Sequence, residues 1–258
     1  MPSLAERWLR TVPTLRELEM RATLVTRDLD ESTLGEAASA LEEICALSEQ
    51  ADPRAREVLA ALLPSLADPS RADVAAELRR AAHDEGHFAL ARLLRKRANQ
   101  FVHEAPEPNE RHPGQAQVGR ALTLGERKAL ARRQDRFVLD RLLRDPHPAV
   151  IKNLLSNPRI TEEDIVRLAA RRPTFADVQS EIAKTPKWAA RPRVRLALAQ
   201  NPFTPPDTAV ALVQLLVRPE LEQVLAATDV PAVVRAAARE LLERRPPIPT
   251  TEEPTEVQ

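Results

Sequence analysis

The chain has 258 residues, and its 38 basic and 38 acidic side chains cancel, so no global charge draws it to nucleic acid or a membrane surface. Five glycines, no tyrosine and a preponderance of Ala, Leu, Arg and Glu argue against β structure and for helices. The lone Cys45 excludes a disulfide framework and any cysteine-held iron–sulfur cluster or zinc knot within the chain, and no apolar run approaches the length of a membrane span.

Residues 1–101 read as five or six short helices. The opening MPSLAERWLR carries charges where a signal peptide has its apolar region, so a soluble, cytoplasmic protein is expected. Leu4, Trp8 and Leu9 form a first amphipathic turn that Pro13 stops or kinks, and Leu15, Leu18, Leu24 and Val25 mark a second helix. Thr33 with Glu36 three positions on is a capping box opening a helix over 34–50, with Ala37, Leu41, Ile44 and Leu47 at helical spacing. Cys45 lies on that pattern and reads as a small buried hydrophobe. Asp52-Pro53 and Asp68-Pro69 each read as an N-cap followed by proline at the first helical position. They resemble Asp145-Pro146 further on, so this half is either a separate bundle or a run of degenerate repeats. A helix over 85–100, opened by Asp84, ends it, with Phe88, Leu90, Ala91 and Leu94 inward.

Residues 102–120 hold three prolines, two glycines and almost nothing to bury, which marks a linker or exposed loop. Thr123-Leu-Gly-Glu126 repeats the capping box and opens a helix over 123–144, with Leu130, Phe137, Val138 and Leu142 on its apolar side. From Asp145 the chain then repeats itself. Val150 to Asn157 matches Val194 to Asn201 at an offset of 44 residues, and Thr161 and Asp164 match Thr204 and Asp207 at 43. A third, partial unit runs DVPAVVRAAARELLERR. A residue before proline is pushed out of the α region, so Asn157 and Asn201 each close a helix. Thr161 and Thr204 then stand as N-caps with an aspartate three positions on, and Pro205 takes the first helical position. The remainder, residues 246–258, is rich in proline and acid, has no core former and is expected to be disordered.

A period of this length signals helices that cannot bury their apolar faces alone and stack on their neighbours instead. With DPxxxV before a helix (Asp145 to Val150) and Asn-Pro followed by threonine after it, residues 121–245 resemble HEAT-like α-solenoids, and more narrowly the leucine-rich repeat variant subclass. The resemblance implies an all-α solenoid over those residues, with the N-terminal helical region ahead of it, and is unspecific for function; the scaffold reading rests on the distribution of charge and the weakness of catalytic motifs. Such repeats commonly carry Val-Arg in the first helix; Val194-Arg195 and Val234-Arg235 fit, whereas Val150 is followed by Ile151, which breaks a strict ladder of arginines. Proteins of the leucine-rich repeat variant kind can also carry a cysteine-ligated cluster, which a single cysteine cannot hold.

Charge is distributed unevenly. Residues 1–119 carry a net −5, residues 120–200 a net +9 and residues 201–258 a net −4. In the basic middle, Lys128, Arg132 and Arg136 follow one another at i, i+4 spacing, a like-charge column on the expected helix. Arg171, Arg172, Lys184, Lys187, Arg191, Arg193 and Arg195 join them if stacking brings all to one side. Such a face is either a groove for an acidic partner or a solvated surface paired with Glu162, Glu163, Asp177 and Glu181. Trp188, between Lys187 and Arg191, is either an exposed anchor or a wedge between repeat units.

Catalytic signals are weak. His83 and His87 have the i, i+4 spacing of zinc proteases, but Asp84 follows the first histidine where a glutamate is needed and Gly86 interrupts the helix. Neither a glycine-rich phosphate loop nor a nucleophile elbow nor a Cys–His pairing occurs. The expectation is a non-enzymatic solenoid without metal, cofactor or membrane contact, binding an acidic protein segment through residues 120–200. The alternative is nucleic-acid binding by the same face, similar to HEAT-like DNA glycosylases, with the acidic ends opposing it.

Overall fold

The computed structural model describes residues 2–95 and 122–245, so the linker expected at 102–120 and the tail expected at 246–258 lie outside the described residues. Among the described residues there are sixteen α-helices and no strand, as an all-α chain requires. No described helix is long and apolar enough to cross a membrane.

The first half contains α1 (Leu4–Thr11), α2 (Leu18–Glu31), α3 (Leu34–Glu49), α4 (Pro53–Leu66), α5 (Ala72–Asp84) and α6 (Phe88–Leu93). Local chemistry starts α3 and α4 where expected, whereas Asp68-Pro69 opens only a 3-10 turn over Pro69–Arg71 and α5 begins at Ala72. Thr33 and Glu36 exchange side-chain to backbone bonds across the first turn of α3, and Asp52 accepts from the Ala55 amide ahead of α4. Trp8, Val25, Leu41, Ile44, Leu59, Leu62 and Leu90 are buried together, with Cys45 beside them. Two buried polar contacts tie these helices together: Trp8 Nε1 donates to Asp28 at 3.1 Å, and Arg92 grips Glu49 with two bonds of 2.7 and 2.6 Å. Glu42 of α3 accepts from the Ala89 and Leu90 amides, satisfying the free N–H groups at the start of α6 from another helix.

The end of this half differs from expectation. Asp84 ends α5 rather than opening a helix over 85–100, because Gly86 takes φ +72° and His87 N–H bonds back to the Ala82 carbonyl at 2.8 Å. That turn resets the register of α6, so Phe88 points outward, 71% exposed, while Leu90 and Leu94 remain inside.

The second half contains α7 (Leu124–Leu130), α8 (Arg136–Leu142), α9 (Pro148–Leu155), α10 (Glu162–Ala170), α11 (Ala176–Lys184), α12 (Pro186–Ala189), α13 (Pro192–Ala199), α14 (Pro206–Val213), α15 (Arg218–Ala226) and α16 (Ala232–Arg244). The single helix expected over 123–144 is two. Asp135 accepts from the Phe137 and Val138 amides and so starts α8 afresh, after α7 has closed in a turn at Ala131 to Arg133. Phe137 consequently lies on the surface, with the Arg141 guanidinium 5.6 Å from its ring centre.

The two asparagines of the repeat perform the same task. Asn157 Nδ2 donates to the carbonyls of Ala131 (2.8 Å) and Arg133 (2.7 Å), just past α7, and its Oδ1 accepts from the Arg159 amide. Asn201 Nδ2 donates to Ala169 (2.6 Å) and Arg171 (2.9 Å) at the end of α10, and its Oδ1 accepts from Phe203 N–H. Each therefore satisfies carbonyls that an earlier helix leaves unpaired at its C-terminal end. The threonines part company. Thr161 and Asp164 form the expected capping box, but Thr204 is buried and its hydroxyl donates to the Leu198 carbonyl. The proline pair Pro205-Pro206 moves the start of α14 one residue on, so Pro205 is its N-cap rather than its first residue. Asp145 is not a helix cap either. His147 caps α9, while Asp145 is buried against Arg127, whose Nη1 lies 2.7 Å from both carboxylate oxygens.

The two halves share a core. α4 packs on α2 and α3 and also on α11, α12 and α14. Arg56 of α4 donates to the Leu215 carbonyl at 2.6 Å, and Arg95 holds Glu240 of α16 through bonds of 2.9 and 2.7 Å. The buried apolar side chains form one cluster extending from Ala5 to Leu241.

Candidate functional site

The basic middle does not assemble into one face. The break between α7 and α8 abolishes the Lys128, Arg132 and Arg136 column: Arg132 instead reaches Asn153 Oδ1 at 3.4 Å, and Lys128 stays on α7. Several of the cations are taken up by carboxylates. Arg136 grips Asp164 at 2.6 and 2.5 Å and also meets Asp140. Arg172 pairs with Asp229, Lys184 with Glu181, Arg191 with Glu162 and Arg193 with Glu163. Trp188 is buried, and its indole N–H donates to the Leu155 carbonyl at 2.8 Å, so it packs from α12 against the end of α9 instead of standing exposed. Lys187 lies over its ring, 4.3 Å from the centre. Arg195 turns away from the others into a cleft shared with α4.

What does come together lies between α8 and α10. A cleft of about 620 Å³ is lined by Arg136, Arg144, Arg167 and Arg171, against Asp140 and Asp164. Asp164 is buried and accepts from Arg136, Arg167 and the Thr161 amide, which holds its carboxyl far below the ordinary range. The same contact with Asp164 raises the Arg136 guanidinium. Arg136 and Arg167 are thereby balanced by two carboxylates, Asp164 and Asp140. Arg144 and Arg171 are not: among the described residues neither has a carboxylate partner, and burial followed by the charge of Arg144 lowers the Arg171 pKa. Both arginines follow the last turn of a helix, Arg144 after α8 and Arg171 after α10, where a cation also meets the negative end of the helix dipole.

Sequence reasoning found Arg136 and Arg171 and missed Arg144 and Arg167. No local signal marks Arg144, because its partner in charge lies 27 positions away and only the packing of α8 near α10 brings them together. A larger cleft of about 820 Å³ near α1 is lined by Asp28, Glu31, Glu36 and Glu43 with Arg7, an acidic surface that shares nothing with the basic one. His83 ends up exposed near the end of α5, and His87 Nε2 contacts Glu85 at 2.9 Å. Among the described residues no group of three or more His, Cys, Asp or Glu side chains converges as a metal site would need. Burial, then Glu42 and Glu49, push the Cys45 thiol far up, the opposite of an activated nucleophile.

Compared with family models, curated proteins and solved structures, the chain matches none.

Proposed function

We propose that this chain is a non-enzymatic helical-repeat scaffold that holds an acidic segment of a protein partner in the cleft between α8 and α10. The observation that carries the reading is the pair Arg144 and Arg171, two cations held near each other without anions of their own. Leaving like charges together is unfavourable unless a partner supplies the missing carboxylates, so the pair is poised to gain on association. Arg136 and Arg167, fixed on Asp164, act as walls of the same cleft.

The repeat reading is that of a HEAT-like or leucine-rich repeat variant α-solenoid. It is supported by the matched roles of Asn157 and Asn201, each tying the end of one unit to the helix of an earlier one. α9 rests on α7 and α11, and α13 on α10 and α14, as stacked units would.

The test uses the full chain, a labelled Asp/Glu-rich peptide and a labelled DNA duplex, each titrated at about 50 and 200 mM salt. Saturable peptide binding that Arg144→Glu with Arg171→Glu abolishes supports the proposal. Those two positions are chosen because neither holds an ion pair, so reversal leaves the fold intact. Peptide binding unchanged by the reversal removes the cleft from the proposal. Duplex bound more tightly than peptide, with a steep salt dependence, replaces it by phosphate recognition.

A further inference from the structure

A second cluster of arginines stands apart from this cleft, where the two halves of the chain meet. Arg56 of α4 and Arg195 of α13 line a cavity of about 410 Å³, with the Arg21–Glu57 pair at its side. Arg21 is fully occupied: it donates to Glu57 at 2.8 Å and to the carbonyls of Leu15 and Pro13 at 2.7 and 3.2 Å. Arg56 and Arg195 are different. Arg56 has one bond, to the Leu215 carbonyl, and its buried Nε has no partner. Arg195 has no hydrogen-bond or ion-pair partner among the described residues, and its Nε is buried as well.

Burial lowers the pKa of both, and the charge of Arg56 lowers Arg195 further. Arg245, within reach of the Arg56 charge, is also buried: it donates to the Gln214 carbonyl at 3.0 Å, its Nε is unpartnered, and burial together with Arg56 and Arg218 lowers it to about 10. The nearby anions offset this only in part: the charge of Glu220 raises Arg56 and Arg195, and that of Glu49, itself held by Arg92, raises Arg245. Three neighbouring guanidinium groups thus each have a buried Nε without an acceptor, an arrangement that costs stability, and two of them, Arg56 and Arg195, line the cavity. The remaining walls are apolar: Leu18, Ala61, Pro186, Ala190 and Val217.

We propose that this cavity binds an organic carboxylate, one anionic head on a short apolar body, with Arg195 and Arg56 taking the head and the Leu18, Pro186 and Val217 walls taking the body. Its volume lies within the range of small-ligand sites, about 300–1,000 Å³. A guanidinium offers a carboxylate two parallel N–H bonds, and desolvation in the cavity strengthens them. Glu57 and Glu220 lower the local positive charge and favour a monoanion over a phosphate dianion. The head is supplied equally by a free small acid or by the terminal carboxylate of a peptide. No residue of the α8–α10 cleft takes part, so the two proposals stand or fall separately.

The test is an NMR or calorimetric titration of the full chain with N-acetyl-leucine, its carboxamide, inorganic phosphate, and an acetylated tripeptide ending in leucine. N-acetyl-leucine is expected to saturate, with the carboxamide and phosphate at least about tenfold weaker. Tripeptide binding equal to or tighter than that of N-acetyl-leucine assigns the site to chain termini; weaker tripeptide binding assigns it to a free acid. Arg195→Gln is expected to weaken the acid about tenfold or more while the unliganded variant melts no lower than the parent, since it sheds a buried, unpartnered charge. Acid and carboxamide bound alike, phosphate bound as tightly as the acid, or no saturation by any probe overturns the proposal without need of the variant. Unaltered acid binding in Arg195→Gln, or a strongly lowered melting temperature, overturns it as well, the latter by making Arg195 structural.

Discussion

Asn201 is where the repeat can be broken with one substitution. Its side chain makes three bonds, of 2.6 and 2.9 Å to the Ala169 and Arg171 carbonyls and of 3.0 Å from the Phe203 amide, and the residue is 1% exposed. Asn201→Ala removes all three. At a net ~1 kcal/mol per bond, with a further penalty where the Ala169 carbonyl is stranded away from water, the expected loss is about 2–4 kcal/mol. For a chain of this size that lowers the melting temperature by about 5–15 °C. Asn201→Asp retains the acceptor for Phe203 but sets a carboxylate against two carbonyls, so at neutral pH it is expected to be at least as damaging. Urea denaturation with unchanged slope, alongside calorimetry, measures both. An Asn201→Ala protein within about 0.5 kcal/mol of the parent would refute the reasoning, because the end of α10 would then be held by something other than this amide.

Four further outcomes are expected. Asp145→Ala, which strands buried Arg127, costs about 3–5 kcal/mol, whereas replacing both partners with apolar residues costs less; a double-mutant cycle by urea melts separates the two. Asp164 has a depressed carboxyl, so its contribution is present above the unfolded value of about 3.9 and is lost as pH falls through the folded one; the parent's urea midpoint should drop below about pH 4, and Asp164→Asn should flatten that limb. Parallel profiles count against the Arg136–Asp164 contact. Trp8 and Trp188 are both buried, so acrylamide quenches the native fluorescence weakly, and Trp188→Phe, losing the bond to Leu155, costs about 1 kcal/mol by thermal melting. Gly86→Ala finds open space around its new methyl yet forces φ +72° on alanine, an expected loss of about 1 kcal/mol that is purely conformational.

Much of the helical punctuation was legible in the chain because it is local. The capping boxes at Thr33, Thr123 and Thr161 and the Asp52 cap each involve groups within three residues, and short-range stereochemistry decides them wherever the segment lies. The departures arose where two local signals compete. Asp135 cut an apolar pattern that reads as one helix, Gly86 overrode the capping tendency of Asp84, and a second proline moved the start of α14 past Thr204. Asn157 and Asn201 were visible as repeats, but their bonds reach back 24 to 32 residues, and no pattern in the chain names those partners.

By itself the sequence determined an all-helical chain, its main breaks and a basic middle between acidic ends, because composition, proline placement and charge count need no partner. Only tertiary structure decided which of those charges remain free. Pairing depends on which helices lie side by side: α10 near α8 spends Arg136 on Asp164 and leaves Arg144 and Arg171 facing each other, and α4 against α13's neighbours carries Arg56 to Arg195 across a separation of 139 residues. Coulomb energy falls with distance in space and is indifferent to distance along the chain, so a charge map drawn on the sequence cannot tell a salt bridge from a binding cleft.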